Sequence, residues 1–382
     1  MTRRIIVEFK PAYIFPLVII GLLIGIAGGW LRMGYAAFLV PHAAAQHGLL
    51  MVGGFLGTLI SLERALVIKG KFWFCVPLCS GLSIPAILLG WPELSIYLVG
   101  AASIGLVGIM YVQSLRHPVL DQYLLLFGAL CWVLGNFMVA NTGFMLVGVP
   151  WWIGFILFTI VGERLELSKF LPLPPWSRLL LPSLLGVFFL GMWVPFHTWG
   201  IWVMGISVCG IAGWLLVFDM ARYAAKKAGL FRYIGIGLIT GYVWLLIHGL
   251  ILFLIPEHAL HYDLYLHTFF LGFTFSMIWA HAPIILPAVL KIRQQPFHPL
   301  LWVGWGVFQV SLLGRIWASL SGNLEGRVMF SLINGWAIIV MFLAMGSLVF
   351  LISRSAECNS GNLKKSVAES GSSGIHQKKL AG

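Results

Sequence analysis

The sequence predicts an all-α polytopic membrane protein of about twelve transmembrane helices, and three observations predict it. Its 382 residues are 60% apolar and only 9% charged, whereas about a quarter of a soluble domain is charged. The mean hydropathy of +0.96 comes from apolar runs long enough to cross about 30 Å of hydrocarbon. The Lys and Arg residues gather in alternate connections between those runs.

In chain order the runs are centred on 11–31, 46–68, 73–91, 94–115, 122–139, 147–162, 179–196, 199–218, 233–255, 264–290, 299–320 and 328–352. The first follows Lys10 and ends at Arg32; it lacks a small-residue cleavage site, so a retained helix is expected rather than a signal peptide. Pro41 precedes the second, which closes on Glu63-Arg64 ahead of Lys69 and Lys71. Gly90-Trp91-Pro92 divides the third from the fourth, and Arg116 stops the fourth before the fifth begins. The sixth closes on Glu163-Arg164; Lys169 and Arg178 lead into the seventh, which ends through Gly191, Trp193 and Pro195 before the eighth. Arg222, Lys226, Lys227 and Arg232 separate the eighth from the ninth, and a loop with His258 and His261 joins the ninth to the tenth. Pro283 and Pro287 bend the tenth, which stops at Lys291 and Arg293; Arg327 precedes the twelfth and Arg354 follows it. Residues 1–353 therefore form a single membrane domain without room for a soluble one. Residues 354–382, rich in Ser, Gly and Lys, read as a disordered cytoplasmic tail.

A formal charge of +12 invites a nucleic-acid partner, but its distribution argues against one. With the N-terminus cytoplasmic, all but three of the 24 Lys and Arg lie inside; Arg32, Arg315 and Arg327 are the exceptions. Such asymmetry is the positive-inside rule of a multi-pass protein in a bacterial-type inner membrane, with both termini cytoplasmic and the lipid bilayer as partner. Cys75, Cys79, Cys131, Cys209 and Cys358 form no C-x-x-C-H, so neither covalent haem attachment nor a disulfide framework is expected.

The second, sixth and tenth runs share a pattern. Gly54-Phe55 is followed eight residues after the Phe by Glu63, Gly154-Phe155 by Glu163, and Gly272-Phe273 by His281. Three four-helix units fit this spacing better than two units of six. The Glu-Arg pairs fit residues that end a span more simply than a proton-uptake role.

Histidines carry the chemistry. His42, His47, His248, His258, His261 and His267, more than half of the eleven, gather toward the outer face of the second, ninth and tenth runs, whereas His281 lies toward the inner face. In a regular helix His267 and His281 stand about 40° apart around the axis and about 21 Å apart along it. Ionisable side chains in a bilayer mark ligands, cofactors or proton routes. His47 and His267, at matched depth on different helices, are what axial ligation of a b-type haem requires. Gly53, Gly54, Gly57 and Gly272 would let helices or a flat ring approach. The propionates would seek cations, and Arg315 is the foremost of the three outer arginines; the alternative is that it snorkels to the surface. His42, His248 and His281 are secondary candidates as metal ligands. His258 and His261 fit solvated loop residues.

The stretches HGLLMVGGFLGTLISLER (47–64) and HTFFLGFTFSMIWAHAPIILP (267–287) resemble those of the NnrS-type membrane proteins, a haem- and copper-associated family linked to nitric oxide metabolism. That family sits within the wider fold of the haem-copper oxidase and nitric oxide reductase catalytic subunits. The resemblance implies a low-spin haem b held by His47 and His267, with copper as a second metal. The sixth run has no histidine and the seventh only His197, so the binuclear copper centre of the oxidases is not expected. The expectation is a redox or nitric-oxide-related haem protein served by a redox partner or quinone. The alternatives are a twelve-helix secondary transporter and a haem or copper handling and assembly factor. Catalytic residues, substrate, electron donor and oligomeric state are not legible.

Overall fold

The structure, a computed structural model, describes residues 13–35, 40–290 and 294–378, the side chains of 197, 288, 290 and 353–378 excepted. Among the described residues it is all helical. We number the long helices α1 (Phe15–Arg32), α2 (His47–Val67), α3 (Lys71–Leu88), α4 (Pro92–Arg116), α5 (Leu120–Thr142), α6 (Met145–Ser168), α7 (Pro175–Trp193), α8 (Thr198–Phe218), α9 (Gly229–Leu254), α10 (His261–Pro287), α11 (Leu301–Leu320) and α12, which spans Leu324–Ile352 within a helix running to Lys378. The expected tail, 354–382, lies outside the residues whose side chains are described.

Eleven of these helices are long and apolar enough to cross a membrane. The exception is α11, which the sequence reading counted as an ordinary span. It is a 20-residue helix, but Gln309, Ser311, Arg315 and Ser319 lower its hydropathy and are buried rather than exposed to lipid. The breaks between helices follow local chemistry. Pro92 and Pro175 open α4 and α7 in their first turns, where a missing N–H costs nothing. Gly143 closes α5 in the left-handed conformation, φ 67°, which a side chain would disfavour.

Consecutive helices pack on one another, and the densest contacts cross α5–α6, α11–α12 and α8–α9, with α4–α5 close behind. The Gly-Phe pairs lie at the centre, where Phe55, Phe155 and Phe273 are fully buried. Within α2 and α10 the backbone opens into wide π-helical turns, Leu50–Gly57 and Thr268–Phe275, with Gly-Phe at the same place in each; α6 stays a regular α-helix. Phe55 stacks on Phe275 with ring centroids 5.8 Å apart, joining α2 to α10 at that level.

Polar side chains tie the ends and the middle. At the Glu63 end, Arg64 reaches across to Glu163, Lys169 to Asp121, and Tyr242 donates to Asp219 at 3.0 Å. The Glu-Arg pairs therefore clamp α2 to α6. In mid-helix, Trp244 Nε1 donates to Gln309 Oε1 (2.7 Å) and Gln309 Nε2 to Ser276 Oγ (3.0 Å), linking α9, α11 and α10. Gln309→Leu removes both bonds. Orphaned donors inside a membrane recover some partners in the unfolded state, so the expected cost is about 1 kcal/mol, read as a lowered Tm in detergent.

Candidate functional site

At the opposite end from Glu63, the helices part around a cavity of about 380 Å³ walled by α1, α2, α6, α10, α11 and α12. His47 opens α2 at this wall and His267 faces it from the second turn of α10. His47 lies seven residues before its Gly-Phe pair and His267 five before its own, which sets the two within about 3 Å of the same depth at 1.5 Å per residue.

Each imidazole is held by the nitrogen facing away from a prospective ligand. His47 Nδ1 lies 2.8 Å from the Gly25 carbonyl of α1. His267 Nδ1 lies 2.7 Å from the Asp263 carbonyl and 3.2 Å from its Oδ1. Carbonyl and carboxylate oxygens only accept, so Nδ1 carries a proton in both rings, and in the neutral imidazole Nε2 then keeps its lone pair. That tautomer, fixed by an oxygen behind the ring, is the usual arrangement of a metal-binding histidine.

The rim of the cavity is basic. Arg32, Arg315 and Arg327 line it together with Asp263. Arg315 does not snorkel: it is 7% exposed and turns inward onto Asp263, with Nη2 3.1 Å from Oδ1 and 3.4 Å from Oδ2. Arg327 reaches the same Oδ1 at 3.2 Å. One carboxylate thus faces two guanidiniums whose Nε atoms have no hydrogen-bond partner among the described residues. The lower walls are apolar and soft, with Trp30, Trp152, Phe270, Met33, Met51 and Met145. Two imidazoles, an apolar wall and buried guanidinium donors are groups that could hold a flat, dianionic metal macrocycle such as haem.

The other histidines are elsewhere. His42 is exposed and packs beside Gly90, where a Cβ would lie 3.3 Å from its ring. His248 is fully buried between α9 and α10, with Nδ1 2.9 Å from the Tyr265 carbonyl and Nε2 unpartnered. His281 bonds the Met277 carbonyl of its own helix at 2.8 Å and lies within electrostatic reach of Arg164. None of the three lines the cavity. Among the described residues there is no group of three or more His, Cys, Asp or Glu that could hold a metal; the secondary candidates His42, His248 and His281 are carried on separate elements and do not converge. His261 is corrected, since it is 8% exposed at the start of α10 rather than solvated in a loop.

Sequence reasoning missed Asp263, the Gly25 carbonyl and the whole contribution of α1. Two signals were present: Asp263 stands one helical turn before His267, and Gly21, Gly25 and Gly29 repeat at the spacing that lets two helices touch. The glycines that reading did select face other helices. A Cβ on Gly53 would meet Val99 of α4, one on Gly54 Ile84 of α3, and one on Gly272 Trp244 of α9.

No curated protein and no solved structure matches the chain. A family profile described as "Domain of unknown function (DUF8744)" matches residues 12–349. The chain is a member of that family.

Proposed function

We propose that this protein binds a b-type haem between His47 and His267 and serves a redox or nitric-oxide-related role, as the resemblance to the NnrS-type proteins implies. One observation carries the reading: two imidazoles from separate helices line one cavity, each hydrogen-bonded to a carbonyl through Nδ1. His47 and His267 would hold the iron, Arg315, Arg327 and Arg32 would meet the propionates, and Trp30, Trp152 and Phe270 would supply an apolar wall. Bound haem supplies one-electron chemistry at its iron. The bis-histidine arrangement suits electron transfer or sensing better than oxygen reduction, and a quinone or a protein redox partner would deliver the electron. The positive-inside pattern supports a site near the outer face of an inner membrane, with both termini cytoplasmic.

A second reading is favoured by Met33, Met51 and Met145, which line the same cavity. Thioethers with imidazole suit Cu(I), and a copper-handling role would use them. One experiment separates the two. Detergent-purified protein, expressed with ample haem and copper, is examined by reduced-minus-oxidised visible spectroscopy and by metal analysis. Sharp haem bands with about one iron per chain are expected. Copper without haem bands would replace the first reading by the second, and neither metal would sink both.

A further inference from the structure

The two sides of the cavity are built differently. Behind His47 stands a neutral acceptor, the Gly25 carbonyl at 2.8 Å. Behind His267 stand the Asp263 carbonyl, 2.7 Å from Nδ1, and in addition the side chain of the same residue, whose Oδ1 lies 3.2 Å from the imidazole Nδ1, 3.1 Å from Arg315 Nη2 and 3.2 Å from Arg327 Nη2. A single oxygen therefore meets one imidazole N–H and two guanidiniums. It is the only carboxylate among the residues lining the cavity.

We propose that Asp263 is the positioning residue of this cavity, orienting His267 and the two arginines from one carboxylate, and that its charge lowers the reduction potential of the iron bound at His267. The inference rests on the haem reading above and deepens it. Two effects act in the same direction. A carboxylate on Nδ1–H makes the imidazole a stronger donor, and stronger donation favours the oxidised, more positive iron. The same negative charge offsets two buried guanidiniums, so removing it leaves the cavity more positive and favours the added electron. The geometric role follows from the helix. Asp263 and His267 are four residues apart on α10, so side chain and backbone carbonyl of one residue bracket the Nδ1–H of the other and fix the plane of the ring.

The test is a potentiometric titration of the visible spectrum in wild type, Asp263→Asn and Asp263→Glu. Asparagine keeps the shape and an acceptor oxygen but loses the charge. Its haem bands persist, and the equilibrium constant for reduction rises at least tenfold, about 59 mV for a one-electron couple. Glutamate, with the charge restored, returns the potential toward the wild-type value. If Asp263→Asn alone does not fold, the double variant with Arg327→Gln removes the excess guanidinium and still shows a raised potential, through the weaker hydrogen bond to His267. Haem bands retained with an unmoved potential in the asparagine variants would overturn the assignment while leaving the haem reading intact. A wild-type protein without haem bands would overturn both.

Discussion

His47→Ala and His267→Ala each yield a folded membrane protein that retains less than a tenth of the wild-type haem. Deleting even an outer-shell partner of a metal ligand costs about 10- to 100-fold in affinity, and losing the ligand itself costs more. The fold should survive both changes. Each imidazole borders the cavity rather than the packed core, and each makes a hydrogen bond to a carbonyl worth about 1 kcal/mol net. Haem content by pyridine haemochrome, beside the detergent Tm, reads the two quantities separately. Free imidazole at millimolar concentration should restore part of the spectrum, because the deleted side chain leaves a hole of its own shape. His281→Ala supplies the control: that ring is remote from the cavity, and its variant keeps a full complement of haem. Wild-type haem content in either cavity variant would remove that histidine from the site.

The pairing of His47 with His267 was legible because both signals survive without coordinates. Each histidine opens an apolar run on the same side of the membrane, and each stands at nearly the same distance before a Gly-Phe pair. Arg315 was legible for a similar reason, since an arginine inside an apolar helix must find a partner. Its actual partner was not, because Asp263 draws notice only as the residue four before a histidine, a spacing that the apolar pattern does not single out. The wide turns at Leu50–Gly57 and Thr268–Phe275 also escape a reading based on 3.6 residues per turn. They rotate everything beyond them, so an angle of about 40° between His267 and His281 does not describe this helix. The eleventh span failed for an energetic reason. Buried Gln309 and Arg315 pair with Trp244, Ser276 and Asp263, and a hydropathy scale charges them as if they faced lipid. The glycines of α2 and α10 were recognised as points of close approach, but sequence alone does not say what approaches, and the answer was Val99, Ile84 and Trp244 rather than a ring.

The neighbouring glycines Gly28 and Gly29 on α1 separate fold from site within one step of chain. A Cβ on Gly28 would lie 2.6 Å from the Ala43 carbonyl oxygen, 2.7 Å from its carbon and 3.1 Å from Ala44 N. Those atoms belong to the backbone of the short helix Pro41–Ala45, which leads directly into His47. Backbone cannot rotate away, so Gly28→Ala has to push this helix off α1. Overpacking of that kind costs about 1–3 kcal/mol, and it draws His47 away from the Gly25 carbonyl on the same helix. Both Tm and haem content are expected to fall. A Cβ on Gly29 meets no backbone at that range, only the His47 ring, at 3.0 Å from Cε1, 3.4 Å from Nδ1 and 3.6 Å from Nε2. The imidazole can give by a few tenths of an ångström, so Gly29→Ala leaves Tm near wild type while the ligating nitrogen shifts and haem affinity drops several-fold. Larger residues at 29 deepen the loss of haem before they touch stability, because their extra atoms enter the cavity. A Gly29→Val protein with unchanged haem content would show that His47, whose ring the new side chain must displace, does not hold the haem, and the proposed site between His47 and His267 would have to be abandoned.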